Sequence, residues 1–155
     1  MTCTLSTRSL SFVSRVDPRL IAVAKLAISL STQDFGFTAE QSRTLAEERA
    51  LMTRGFSHTI HSHHLINDGS LTWEATQSAV GFSGAIDAVP WNGSAFVWEW
   101  PLIYPVAEAF REASAQLAMP ITWGGEWGKL LTDVKGGPIS SHTGFDGPHF
   151  ELGRN

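Results

Sequence analysis

Near its C-terminus the chain reads Asp146-Gly147-Pro148-His149-Phe150-Glu151-Leu152. An acid and an imidazole three residues apart, at the mouth of a strand, can face one point. His149 could bind zinc through one ring nitrogen, and Asp146 could sit beside the ion's water and take its proton. Zinc lowers the pKa of such a water from about 16 to about 7, so a carboxylate base can work at neutral pH. By itself the D-x-x-H pair is weak, because a turn aspartate and an ordinary histidine give the same pattern. A second acid, Asp87, lies inside the apolar run AIDAV (85–89). A carboxylate there is costly unless paired or metal-bound. His61, His63 and His64 offer a third ligand. Two histidines and one aspartate would leave the fourth zinc position open for water, as catalytic sites do. A salt bridge at Asp87 and a solvated His-rich loop are the plainer alternatives.

The whole chain must be able to build such a site. It has 155 residues, enough for one domain, with 43% hydrophobic and 17% charged residues, a composition that argues against disorder. No apolar run reaches the roughly eighteen residues of a membrane span. The opening MTCTLSTRSLSFVSRVD has no apolar stretch behind a basic tip, so no conventional signal peptide is expected. The net charge of −4 argues against nucleic acid as a partner. Cys3 is the single cysteine, which excludes an internal disulfide and a thiolate-rich zinc site. Residues 1–60 carry seven Lys/Arg and five Asp/Glu, whereas residues 61–155 carry four and ten. All six histidines lie from His58 onward. Nitrogen and oxygen donors are thus concentrated together, as a metal site without sulfur requires.

Helical signals come early. Asp17 can cap and Pro18 suits the first turn of a helix carrying Leu20, Val23, Ala24, Ala27 and Leu30. Asp34–Thr38 reads as a short strand. Thr44 and Glu47 form a capping box for a second helix that stops near Gly55. A strand-like piece is expected at His58–Ile60. Residues 66–83 are rich in Gly, Ser, Thr and Asn and read as a long loop. Ala85–Val89 is a buried strand ended by Pro90. A third helix is expected over Pro105–Leu117. Pro120–Trp123 and His149–Leu152 read as strands, separated by a polar loop over Gly124–Gly147. Helices first and strands later predict an α+β fold.

Taken in order, these segments resemble the phage endolysins that are L-alanyl-D-glutamate endopeptidases, within the zinc D-alanyl-D-alanine carboxypeptidase-like peptidases. LSTRSLSFVSRVDPRLIAVAKLAISLSTQDFGFT resembles the family's opening helix and strand. SRTLAEERALMTRG resembles its R-T-x-x-E-Q helix, with Glu48 where Gln is usual. SHHL resembles the S-x-H-L segment and GAIDAVPW the A-x-D segment. WEWPLIYPVAEAFREASAQLAMPITWGGEW resembles a helix followed by W-G-G-D-W, and DGPHFEL resembles the closing D-x-x-H. The resemblance covers nearly the whole chain. It implies a Hedgehog/DD-peptidase-like fold with a small, mostly antiparallel sheet and flanking helices. It also implies zinc held by His64, Asp87 and His149, with Asp146 as catalytic acid/base and Arg43 supporting the oxyanion. Glu126, Trp127 and His142 fall at positions for substrate contact, while Trp123 fits the core.

One departure stands out. Twenty-two residues separate His64 from Asp87, far more than the family's usual spacing. An ungapped count puts Val80 at the ligand position, and Val cannot bind zinc. Residues 66–83 are therefore expected to contain an insertion that loops out of a single catalytic domain (1–155). Each doubling of loop length costs only about 0.6 kcal/mol. Trp73 would be a substrate contact if the loop lined the groove.

The resemblance implies the peptide stem of peptidoglycan as substrate, a monomer, and synthesis in a host cytoplasm with holin-type release to the wall. Two other readings fit the same residues: a D-alanyl-D-alanine carboxypeptidase, and an inactive wall-binding protein on the same fold. A carboxypeptidase must hold a free carboxylate, and the cations of the second half are few (Arg111, Lys129, Lys135 and Arg154).

Overall fold

The fold is built on two helices whose apolar faces meet. The structure, a computed structural model, describes residues 2–57, 59, 61–71 and 77–153. A short helix α1 (Thr7–Ser11) opens the chain, with the Ser6 side chain accepting from the Ser9 N–H. Helix α2 (Pro18–Leu30) begins as its sequence signals: Asp17 accepts from the Arg19 N–H and Pro18 takes the first turn. Its buried residues are Leu20, Val23, Ala24, Ala27 and Ile28. They share the core with Ile103, Val106, Phe110 and Ala113 of α4 (Trp100–Leu117). Between them in sequence lie β1 (Phe35–Gly36) and α3 (Leu45–Thr53), which carries the expected capping box of Thr44 and Glu47.

Two small antiparallel sheets complete the α+β architecture. In one, β1 pairs with β3 (Val89–Pro90). The other has the order β2 (Ala85–Asp87), β5 (His149–Leu152), β4 (Ile121–Trp123). Phe150 on the central strand stacks on Phe110 of α4, with ring centroids 3.9 Å apart and planes 11° apart. This contact anchors β5 to the helical layer and turns its other face, His149 and Glu151, the opposite way.

Several boundaries depart from expectation. The five-residue α1 is too short to show a helical period and was not predicted. AIDAV is not one strand: Asp87 ends β2, and Val89 and Pro90 cross to the second sheet. Pro90 is the last residue of β3, which an edge position allows because no ladder N–H is needed there. Helix α4 starts at Trp100, not Pro105. Pro101 occupies the first turn, and Pro105 lies inside the helix. The polar stretch 124–147 holds a 3₁₀ turn at Leu131–Asp133. His58 and Ile60 of the expected strand lie outside the described residues, as do Trp73 and Arg154; Thr59 is in no strand.

Candidate active site

The register of the central sheet creates the first half of the site. Asp87 lies directly opposite His149 across the β2–β5 ladder, so their side chains are neighbours on one face. His149 Nδ1 is 3.3 Å from Asp87 Oδ1. The third member arrives from the His-rich loop. Leu65, buried, forms a parallel bridge with Arg43, and the Arg43 N–H donates to the His64 carbonyl. This places His64 Nε2 3.4 Å from Asp87 Oδ2. The two imidazoles meet edge to face, with centroids 5.2 Å apart. One ligand atom from each of His64, Asp87 and His149 lies within 4.8 Å of the others. Among His61, His63 and His64, then, it is His64 that joins Asp87 and His149, despite the 22 residues before Asp87.

The hydrogen bonds behind these rings decide what they present. His64 Nδ1 lies 2.8 Å from the Gln41 carbonyl, which can only accept, so Nδ1 carries the proton. His149 Nε2 lies 2.9 Å from Glu151 Oε1, and a carboxylate likewise accepts. In their neutral forms both rings therefore turn a lone pair toward the Asp87 carboxylate. Two imidazole lone pairs facing an anion repel it unless a proton or a cation lies between them. The donor set, two neutral imidazoles and a carboxylate with ordered partners behind, fits a divalent metal such as zinc.

Without a metal the site is strongly polarised. Burial would push Asp87 up, but the charges and hydrogen bonds of His64 and His149 outweigh it and hold the carboxyl well below the usual range. Burial would push His149 down, yet its bonds to Asp87 and Glu151 carry it up to about 10. Burial also works against ionised Glu151, but the His149 bond and nearby His63 bring it down to about 2. Asp146 moves the other way. Burial raises it, the neighbouring carboxylates Asp87 and Glu151 add to the rise, and His149 and His64 oppose it. It is the acid of the group that is driven toward the proton, as a base that must later return one requires.

Asp146 is placed by its backbone. Its N–H donates to the Gly124 carbonyl, and its own carbonyl accepts from the His149 N–H. A Cβ on Gly124 would lie 2.1 Å from the Asp146 carbonyl oxygen, so the loop can approach this closely only with glycine there. The W-G-G-E-W segment thereby fixes the acid. Trp123 is fully buried and its indole N–H donates to the Gly147 carbonyl at 2.6 Å, as its core assignment implies.

Of the other predicted site residues, Trp127 lies beside His149. Trp127 is 40% exposed, and its ring centroid is 5.5 Å from that of His149. Glu126 accepts from the Thr143 hydroxyl at 3.0 Å and lies 3.9 Å from Lys129. His142 stacks on Trp100 at 3.4 Å, and its Nδ1 is 2.8 Å from the Tyr104 hydroxyl. Arg111 is used structurally: it donates to the carbonyls of Lys135 and Gly137.

Arg43 is paired with Glu48 at 2.6 Å, while Glu47 is occupied in the capping box. Glu48 is fully buried and also accepts from the Ser57 hydroxyl. Arg43→Ala is expected to cost about 3 kcal/mol of stability, because it leaves a buried carboxylate without its counter-charge. Urea unfolding measures this; an unchanged midpoint would mean that Glu48 is satisfied without Arg43.

Sequence reasoning missed two residues, Gln41 and Glu151, and offered His63 only as an alternative ligand. Gln41 is the joint of the site: its carbonyl holds His64, while its side-chain oxygen accepts from the Asp87 N–H at 2.7 Å. Glu151 and His63 form a layer behind His149. Glu151 carried a readable signal, an acid two residues from His149 on the same strand face. Gln41 carried none.

The expected excursion also closes neatly. Asn67 N–H donates to the Phe82 carbonyl, Gly81 N–H to the Asn67 carbonyl, and the Asn67 side-chain amide to Ser78. Asp17 accepts from Ala79 N–H, which ties the returning limb to the start of α2. The described parts of 66–83 hold no helix or strand.

Comparison with known proteins agrees with this arrangement. No curated protein matches the chain. The crystal structure of the Serratia marcescens L-Ala D-Glu endopeptidase ChiX is similar, with 26% identity and a TM-score of 0.68 over 98% of this chain and 91% of that one. Residues 1–153 match the family described as phage L-alanyl-D-glutamate peptidase, and the chain belongs to that family.

Proposed function

We propose that this peptidase is a zinc enzyme that cleaves the L-alanyl-D-glutamate bond of the peptidoglycan stem, using His64, Asp87 and His149 to hold the ion. The observation that carries the reading is the convergence of one ligand atom each from His64, Asp87 and His149 to within 4.8 Å, with both imidazoles hydrogen-bonded from behind. Zinc, when bound, polarises the scissile carbonyl and acidifies a water. The Asp146 carboxylate accepts the water proton and returns it to the departing amine. Arg43, oriented by Glu48, supports the oxyanion of the substrate as it forms. Trp127 lines the approach to His149, and Glu126 and His142 contact the stem from the 124–127 and 140–146 loops.

The fold is that of the Hedgehog/DD-peptidases, in one catalytic domain over 1–155 with an insertion within 66–83. The protein acts as a monomer, is made in the host cytoplasm and reaches the wall through a holin-type pore. Among the described residues no helix is long and apolar enough to cross a membrane.

Digestion of purified peptidoglycan, followed by mass spectrometry of the new amino termini, tests the bond. A new D-glutamate amine is expected. Released D-alanine would replace this reading with a carboxypeptidase. No product from zinc-loaded protein would leave a wall-binding protein.

A further inference from the structure

Glu151 stands behind the site, its Oε1 against His149 Nε2. It is only 8% exposed, and a buried carboxylate is costly unless both oxygens are satisfied. Here Oε1 has a hydrogen-bond partner, and Oε2 has a close ionic contact with a second imidazole that lacks hydrogen-bond geometry. Oε1 meets His149 Nε2 at 2.9 Å, and Oε2 lies 2.7 Å from His63 Nδ1. His63 is held in place by its own backbone, whose carbonyl accepts from the Gly84 N–H at the edge of β2. Glu151 itself pairs with Ala85 in the β2–β5 ladder. The chain thus runs inward from His63 through Glu151 to His149, whose Nδ1 faces Asp87.

We propose that Glu151, braced by His63, is a positioning residue that pins the His149 proton on Nε2 and so keeps Nδ1 as the donor to the metal. Stability alone does not explain this charged cluster, since an apolar side chain of similar volume commonly serves as well or better in a buried position. The direction of the contacts does explain it. Glu151 lies on the opposite ring edge from Asp87 and so orients the ring rather than adding a ligand. A carboxylate behind a metal-bound imidazole fixes both tautomer and ring angle.

The inference rests on the zinc reading above, and its test separates the two. Zinc affinity is measured by chelator competition in wild type, Glu151→Gln and Glu151→Leu, with circular dichroism confirming the fold of each. Wild type is expected to bind zinc, and both variants to bind it about 10–100-fold more weakly. His63→Gln is expected to fall in the same direction by a smaller factor. A second readout is nuclear magnetic resonance of the zinc-loaded protein. The wild type should show a slowly exchanging His149 Nε2 proton, which Glu151→Leu loses. Wild type without zinc affinity would end the zinc reading itself. Zinc-binding wild type with unchanged affinity in both Glu151 variants would overturn the role of Glu151, and unchanged affinity in His63→Gln would remove His63 from it. A His149 proton found on Nδ1 would overturn the assignment outright.

Discussion

Asp146→Asn is expected to retain zinc and lose hydrolysis of peptidoglycan by about 10²–10⁴-fold, the usual worth of a positioned general acid/base. Asn keeps the size of the side chain and its backbone ties to Gly124 and His149, so the loop should hold its shape. What disappears is the ability to take and return a proton. The measurement pairs turnover of purified wall with zinc content of the same sample. Normal turnover would remove Asp146 from its role, whereas loss of zinc together with activity would move it into the metal-binding set. The comparison is informative because Asp146 feels the charges of His149, Asp87 and His64 yet is not among the three residues whose ligand atoms converge.

The second large effect concerns those three residues. Replacing His64, Asp87 or His149 by Ala is expected to weaken zinc binding by roughly 10³-fold, since a complete zinc site is worth roughly 10–16 kcal/mol and each ligand supplies several of them. Hydrolysis should vanish with the metal. Wild-type affinity should depend on pH with a definite sign. In the metal-free protein His149 is raised to about 10, so at neutral pH a proton occupies the ring and must leave for the metal to bind. Asp87, held low, does not compete. Apparent affinity should therefore rise by about tenfold per pH unit between about pH 6.5 and 8.5. Chelator competition across that range measures the slope; a flat profile would show that His149 is already neutral in the free protein. The metal-free fold has the opposite dependence. The charged His149 contributes stability that is complete below its ordinary value of 6.5 and is lost as pH rises through about 10.

Much of the site is legible in the residues themselves. An acid inside an apolar run and an acid–imidazole pair beside a strand are chemically expensive arrangements, and both Asp87 and His149 prove to be neighbours across one ladder. The Asp17 cap, the Thr44–Glu47 capping box and the α2 face were equally readable because they depend on local spacing. The identity of the third ligand was not, within HSHH, a matter of spacing. It depends on a bridge between Leu65 and Arg43 and on the Gln41 carbonyl, contacts made between distant parts of the chain. Gln41 has no sequence signature because its work is done half by its backbone. The start of α4 was misplaced because two prolines, Pro101 and Pro105, both suit a first turn. The split of AIDAV was hidden because an apolar run does not say which sheet each residue joins.

The abutting limbs at Asn67 and Phe82 bear on how the two sides of the site are brought together. Asn67 and Phe82 are joined by backbone hydrogen bonds, and Ala79 is tied to Asp17, so the length of chain between them does not set the distance across their base. His64 and Asp87 thus meet at 3.4 Å across 22 intervening residues, and their separation along the chain is a poor guide to their separation in space.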